Sequence, residues 1–353
     1  MAPPYQFSPH QRSFRPGGNV LRGPPFAHYN RGSGCPESAT RSRSEAVDVA
    51  THPFMANVRF ADINVVAALG DSMSAGNGAD ARQPLGLLKE WRGLAFQIGG
   101  DKTLEEHITV PNVLKKFNPN VFGYSTGTGK WDKWEVSKLN MAVPGSESHD
   151  LPMQAERLVE RMRNHSEIDV ANDWKLVNIF IGGNDVTIVS VTSIFNIELL
   201  RPVDKLKVFC EGLHFLYECN CEYHPKETNE VCWEYMAAEQ SIEDEGIFDT
   251  GDDFTFVIQP FTTRVMEPPI TSNGQADLRF FAPDCFHFSR FGHSNMGKHL
   301  WNTIVQPVGA KQTSVNFTDI LAPLSCPEKA CPLFPTTKNS RNCTMYLTPS
   351  ELD

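Results

Sequence analysis

The sequence lacks the basic blocks that a nucleic-acid partner would need. Its 42 Asp and Glu outnumber 32 Lys and Arg, for a formal net charge of -10, and the cations are scattered, which argues against a nucleic-acid role. No window reaches the roughly eighteen consecutive apolar residues that a membrane helix requires, and the N-terminus has no apolar segment of signal-peptide type. Internal repeats, heptads and the paired C-x-x-C spacings of common zinc sites are also missing. What is present is a chain of 353 residues, 40% hydrophobic and 21% charged, with enough apolar material for one large globular domain flanked by tails.

Nine cysteines and three acceptor sequons, at Asn164, Asn316 and Asn342, are features of a secreted glycoprotein. They stand against the missing leader. Cys35 lies in the N-terminal tail, leaving eight cysteines for four disulfides with about 105 possible connectivities. A zinc site built from Cys210, Cys219, Cys221 and Cys232 is the alternative; the spacings favour disulfides.

Residues 1–50 mix Pro, Gly, Ser and Arg without apolar periodicity and read as a disordered tail. Residues 313–353 are proline-rich and irregular, with cysteines available to pin them. Between the tails, five apolar runs predict strands at Val65–Leu69, Val136–Val143, Lys175–Ile181, Val186–Ile194 and Phe254–Gln259. Several are continuously apolar, as in parallel strands buried on both faces. Amphipathic helices are predicted from Asp150 to His165, with Leu151, Ala155, Leu158, Val159 and Met162 near one face, from Glu227 to Glu245, and from Ser289 to Gln306. The alternation predicts a three-layer α/β/α domain with a mostly parallel five-stranded sheet. One connection does not fit. The third and fourth runs are separated only by Gly182, Gly183, Asn184 and Asp185, which allows a hairpin but not a parallel crossover.

Ser72 follows the first run in "ALGDSMSAG" and falls at the carboxyl end of a strand, where open α/β sheets place ligands. Gly, Asp and Ser also simply favour turns. A serine nucleophile needs a base and an orienting group. "APDCFHFS" offers Asp284 and His287, close enough for one turn of chain to hold both; a helix cap and an ordinary loop histidine are the bland alternatives. His293 and His299, on the following helix, are weaker candidate bases. Acyl transfer also needs oxyanion donors, which Gly145 after the second run and Asn184 after the third can supply. A rival nucleophile is Ser125, in "GYSTG", which matches G-x-S-x-G but has Pro119 and two asparagines where the nucleophile elbow needs a buried strand.

Ser72, Gly145, Asn184 and His287 in this order resemble the four blocks of the GDSL, or SGNH, hydrolases. The resemblance implies a flavodoxin-like fold, Ser72 as nucleophile, Asp284 and His287 as orienter and base, and an oxyanion hole from the Ser72 and Gly145 amides and the Asn184 side chain. "ADINVVAALGDS", "STGTGK", "DLPMQAERLV", "DWKLVNIFIGGND" and "FFAPDCFHFS" narrow it to the phospholipase B branch, over roughly residues 55–310. Met73 stands where the GDSL group has Leu, a volume-conserving change. The implied domain spans residues 51–312. The implied activity is serine-dependent hydrolysis of phospholipid and lysophospholipid acyl esters, with no metal or organic cofactor, and with contact to a membrane or micelle surface. The branch is exported and often membrane-attached, which implies a secreted or cell-surface location.

Relatives of that branch carry, after the G-G-N-D block, a further segment with a cysteine pair and a helix, so the crossover between the third and fourth runs is missing here. Three readings follow. One is an active esterase; the second is a catalytically impaired lipid-binding or interaction form, because misplacement by about 1 Å can cost on the order of a hundredfold in rate; the third is an unstable product with no role.

Overall fold

The structure, a computed structural model, describes residues 55–182, 196–204, 210, 225–249, 251 and 253–347. The first expected strand forms as β1, Ile63–Gly70, and the third as β2, Trp174–Phe180. They pair in parallel, Val66 opposite Leu176 and Gly70 opposite Phe180.

β1 is buried on both faces, and the period of two along a strand sorts its residues. Val66 and Ala68 face a cluster with Phe60, Phe96, Phe117 and Trp301. Val65, Ala67 and Leu69 face a second cluster with Leu139, Met141, Leu158 and Met162. Leu158 and Met162 belong to helix α2, Leu151–Arg163, whereas Trp301 belongs to α4, Arg290–Ile304. Helices therefore cover opposite faces of β1, as the apolar run demanded. Between them in sequence, α3 spans Pro225–Glu245. A four-residue helix, α1, Ser72–Ala75, follows β1 directly.

The second expected strand is only partly extended. Trp134–Ser137 is a short helix, and only then does the chain run beside β1, with Ala68 N–H donating to the Leu139 carbonyl (3.1 Å) and Met141 N–H to that of Ala68 (2.8 Å). It stops at a single parallel bridge, Ala68 to Asn140. The next rung needs the Gly70 N–H, which goes instead to Gln154 Oε1 (2.9 Å), while on the edge away from β1 the buried Arg92 donates to the carbonyls of Asn140 (3.0 Å) and Ala142 (2.7 Å). Residues 254–258 join no ladder among the described residues; the Ile258 N–H goes to Glu243 on α3 (2.6 Å). Two strands are thus described. The expected run Val186–Ile194 and its hairpin lie outside the described residues.

On α2 the buried row is Gln154, Leu158 and Met162, while Val159, expected on the core face, is 41% exposed. Residues 313–347 carry little regular structure yet pack on the same core: Phe317 and Phe334 join the larger cluster, and Phe334 N–H donates to the Val58 carbonyl (2.7 Å). Disulfides join Cys210 to Cys285 and Cys331 to Cys343, and Cys326 is also disulfide-bonded. Cys210 is therefore committed to a disulfide rather than to zinc. Cys219 and Cys221 lie outside the described residues, and Cys232 is buried with Tyr235 and Met236 on α3.

Candidate active site

The three residues after Leu69 each do a different job. Gly70 has φ +151°, and a Cβ there would lie 2.2 Å from the Phe180 carbonyl oxygen, so only glycine lets β1 and β2 end this close together. Asp71 is the N-cap of α1, its side chain accepting from Met73 N–H (2.9 Å). Ser72 is the first helical residue. Its N–H belongs to the first turn, which a helix leaves without an internal acceptor.

The second half of the site is a loop folded on itself. Phe281 and Phe288 form an antiparallel bridge, Ala282 N–H donates to the His287 carbonyl (2.7 Å), and the turn passes through Cys285 at φ +65°. Inside it, Asp284 Oδ1 accepts from the N–H groups of Phe286 and His287, both at 3.1 Å. Its Oδ2 lies 2.7 Å from His287 Nδ1, and His287 Nε2 lies 2.7 Å from Ser72 Oγ. Residues 215 apart in sequence thus form a continuous hydrogen-bonded relay.

Asp284 and Ser72 are buried, and the His287 side chain is 13% exposed. Burial pushes the Asp284 carboxyl up, but the hydrogen bond and charge of His287 and two backbone donors outweigh it and hold the carboxyl below its ordinary value. An ionised Asp284 accepts only, so Nδ1 carries the proton and Nε2 is left to accept from the Ser72 hydroxyl. That arrangement can activate a hydroxyl as a nucleophile.

The rivals are occupied elsewhere. Ser125 is fully buried, and its hydroxyl donates to the Arg92 carbonyl (2.8 Å). His293 is buried and stacked on Phe96, its Nδ1 accepting from Phe96 N–H (3.4 Å). His299 is buried against Phe317.

Gly145 has φ +79°, is exposed, and has open space where a Cβ would stand. Its loop docks at the end of β1, where Val143 N–H donates to the Gly70 carbonyl (3.1 Å). The buried Gln154 completes this docking: it accepts from Gly70 N–H and donates to Gly70 C=O, both at 2.9 Å, and donates to Ser146 Oγ (3.1 Å). The signal available in the sequence was a polar residue four positions before Leu158 on the row that α2 buries. Asn184 lies outside the described residues. Asn164, Asn316 and Asn342 are all exposed. Among the described residues no group of three His, Cys, Asp or Glu could hold a metal ion, and no helix is long and apolar enough to cross a membrane.

A serine, histidine and aspartate joined by hydrogen bonds at the carboxyl end of a parallel strand are the arrangement that α/β hydrolases with a serine nucleophile use. Residues 66–300 match the model of the GDSL-like lipase/acylhydrolase family, and the chain belongs to that family. It is similar to "Phospholipase B1, membrane-associated" of Homo sapiens, 38% identical over 335 residues that cover 84% of this chain and 22% of that protein. The protein of the same name from Rattus norvegicus is 34% identical over 348 residues, 87% of this chain and 23% of that protein, and the Mus musculus protein stands equally near. The chain spans about a fifth of the length of these relatives. No solved structure matches it.

Proposed function

We propose that the chain hydrolyses the acyl esters of phospholipids and lysophospholipids through an acyl-enzyme on Ser72. The observation that carries this reading is the pair of 2.7 Å contacts from Ser72 Oγ to His287 and from His287 to Asp284. Ser72 Oγ attacks the ester carbonyl as His287 Nε2 takes its proton, and Asp284 holds the Nδ1–H and stabilises the imidazolium. The oxyanion is held by the N–H groups of Ser72 and Gly145 and by the side chain of Asn184. On collapse, His287 returns the proton to the leaving alcohol, and water then releases the fatty acid by the same relay in reverse. The lipid character of the substrate is supported by the names of the relatives.

The fold that goes with this reading is the five-stranded SGNH sheet in residues 51–312. Export to the cell surface or beyond, with glycans on Asn164, Asn316 and Asn342, agrees with the disulfides and with the exposure of those asparagines. The test is fatty-acid release from lysophosphatidylcholine and phosphatidylcholine micelles by the full chain and by Ser72→Ala. A loss of about 10⁴-fold or more in the variant supports the reading. A folded chain that binds these lipids but releases no fatty acid would replace it with the impaired lipid-binding form that lacks the crossover.

A further inference from the structure

Residues 80–90 form a projection that the relay does not use. Its base is fixed: Gly78 N–H donates to the Lys89 carbonyl (3.1 Å), Trp91 N–H to that of Gly76 (3.0 Å), and Asn77 pairs with Glu90 in an antiparallel bridge. Its tip is a 3₁₀ helix, Pro84–Leu88, closed by Gly86 N–H to Gln83 (2.8 Å) and Lys89 N–H to Gly86 (3.1 Å).

The tip carries three leucines with different fates. Leu87 turns under the projection, where a Cβ on Gly78 would meet its Cδ2 at 3.0 Å and Ala282 Cβ at 3.2 Å. Leu85 and Leu88 point out, 80% and 82% exposed. They are three residues apart in a helix with three residues per turn, so they stand on one face. Burying neither leaves a cost that folding does not recover, and two eclipsed leucines on a braced tip form an apolar plug.

The surroundings say what the plug enters. Arg82 and Lys89 flank it, both exposed, and the exposed Arg290 adjoins the base, its N–H donating to the Ala79 carbonyl (2.5 Å). The acids of the segment count for less: Glu90 is buried and paired with Arg92 (2.5 Å), which leaves the half-buried Asp80. On a chain of net charge -10 this is a local cationic rim around apolar side chains, the pattern that matches an anionic lipid surface. The projection is also continuous with the relay, since Asn77 N–H at its base donates to the Ser72 carbonyl (2.9 Å) and Leu87 packs near Ala282, five residues before His287.

We infer that Leu85 and Leu88 insert into the headgroup boundary of an anionic bilayer, with Arg82, Lys89 and Arg290 against its phosphates, and so bring the Ser72 site to its substrate. The inference rests on the lipid-esterase reading. Its test is made on the full chain carrying Ser72→Ala, so that hydrolysis plays no part in the readout and a failure of the serine mechanism leaves the result intact.

Vesicles of phosphatidylcholine with about one third phosphatidylserine sediment with the protein, and pure phosphatidylcholine vesicles bind it about tenfold more weakly. Leu85→Ser with Leu88→Ser weakens binding to the mixed vesicles about a hundredfold and leaves the thermal unfolding midpoint in place. Arg82→Glu with Lys89→Glu removes the preference for the anionic vesicles. Leu85→Trp shows fluorescence quenched by lipids brominated near the headgroup. Three results would overturn the inference: no vesicle binding by the parent, equal binding by the double-leucine variant, or an unquenched Trp at position 85. A parent that dimerises without lipid, and whose dimer the double-leucine variant dissolves, would assign the face to a second copy instead.

Discussion

Lowering the pH loads protons onto the unfolded chain that the folded chain cannot accept. His107 is buried with Nε2 on the Leu94 carbonyl (2.9 Å), and burial lowers its pKa from 6.5 to about 4. His299 falls to about 3 through burial and the neighbouring Lys298, and His293 falls well below 6.5 through burial and the charges of His107 and His287. Each folded value lies below the unfolded one, so the stability these groups contribute is complete above pH 6.5 and is lost as the pH falls towards the folded values. Between pH 6 and 5 His107 and His299 each cost roughly 1 kcal/mol per pH unit and His293 adds a cost of the same sign, together a large part of the total stability of a typical domain. The depressed carboxyls of Asp277 and Asp284 lose their contribution only below their ordinary value of 3.8 and so do not enter this window. The assay is urea unfolding followed by tryptophan fluorescence at several pH values, on the chain and on His107→Gln, whose amide keeps a donor for Leu94. The slope of stability against pH in the variant should fall by roughly 1 kcal/mol per pH unit, whatever its absolute stability. An unchanged slope, or stability that is flat from pH 6.5 to 5, refutes the reasoning.

Gly70→Ala drives a Cβ onto the Phe180 carbonyl and should cost about 3 kcal/mol or more, read as a fall in urea midpoint; a neutral result would mean that the strand ends are not held this close. Asp284→Asn keeps the loop but offers His287 Nδ1 a donor as readily as an acceptor, so kcat should drop by on the order of 10⁴ with the unfolding midpoint little changed. Gln154→Met removes both bonds to Gly70 and the bond to Ser146; if Gly145 donates to the oxyanion as proposed, kcat for a soluble ester should fall more than KM rises, because the Gly145 loop loses its anchor.

Much of the site was legible because its pieces are local. The run Ile63–Gly70 has one reading on both faces, and Gly70, Asp71 and Ser72 each have a backbone reason to follow it. Asp284 and His287 are three residues apart, so a tight turn brings them together without help from the rest of the chain. What sequence reasoning missed depends on distant partners. The second expected strand is cut to a bridge because Gln154 takes the Gly70 N–H, and Arg92, in a segment without a recognisable motif, takes the carbonyls of Asn140 and Ala142 on its other edge. Gln154 shifts the buried row of α2 so that Val159 turns outward, because its amide finds both backbone groups of Gly70. Cys210 could be read towards zinc or disulfide until the fold brought Cys285 beside it.

The central claim is that Ser72 is an activated nucleophile, and labelling with a fluorophosphonate tests it directly, since only an activated serine reacts. Mass mapping of the full chain should place the adduct on the peptide containing Ser72, with labelling lost in Ser72→Ala, slowed by orders of magnitude in His287→Ala and retained in Ser125→Ala. An adduct on Ser125, labelling that survives Ser72→Ala, or a folded chain that takes no label at all would contradict it.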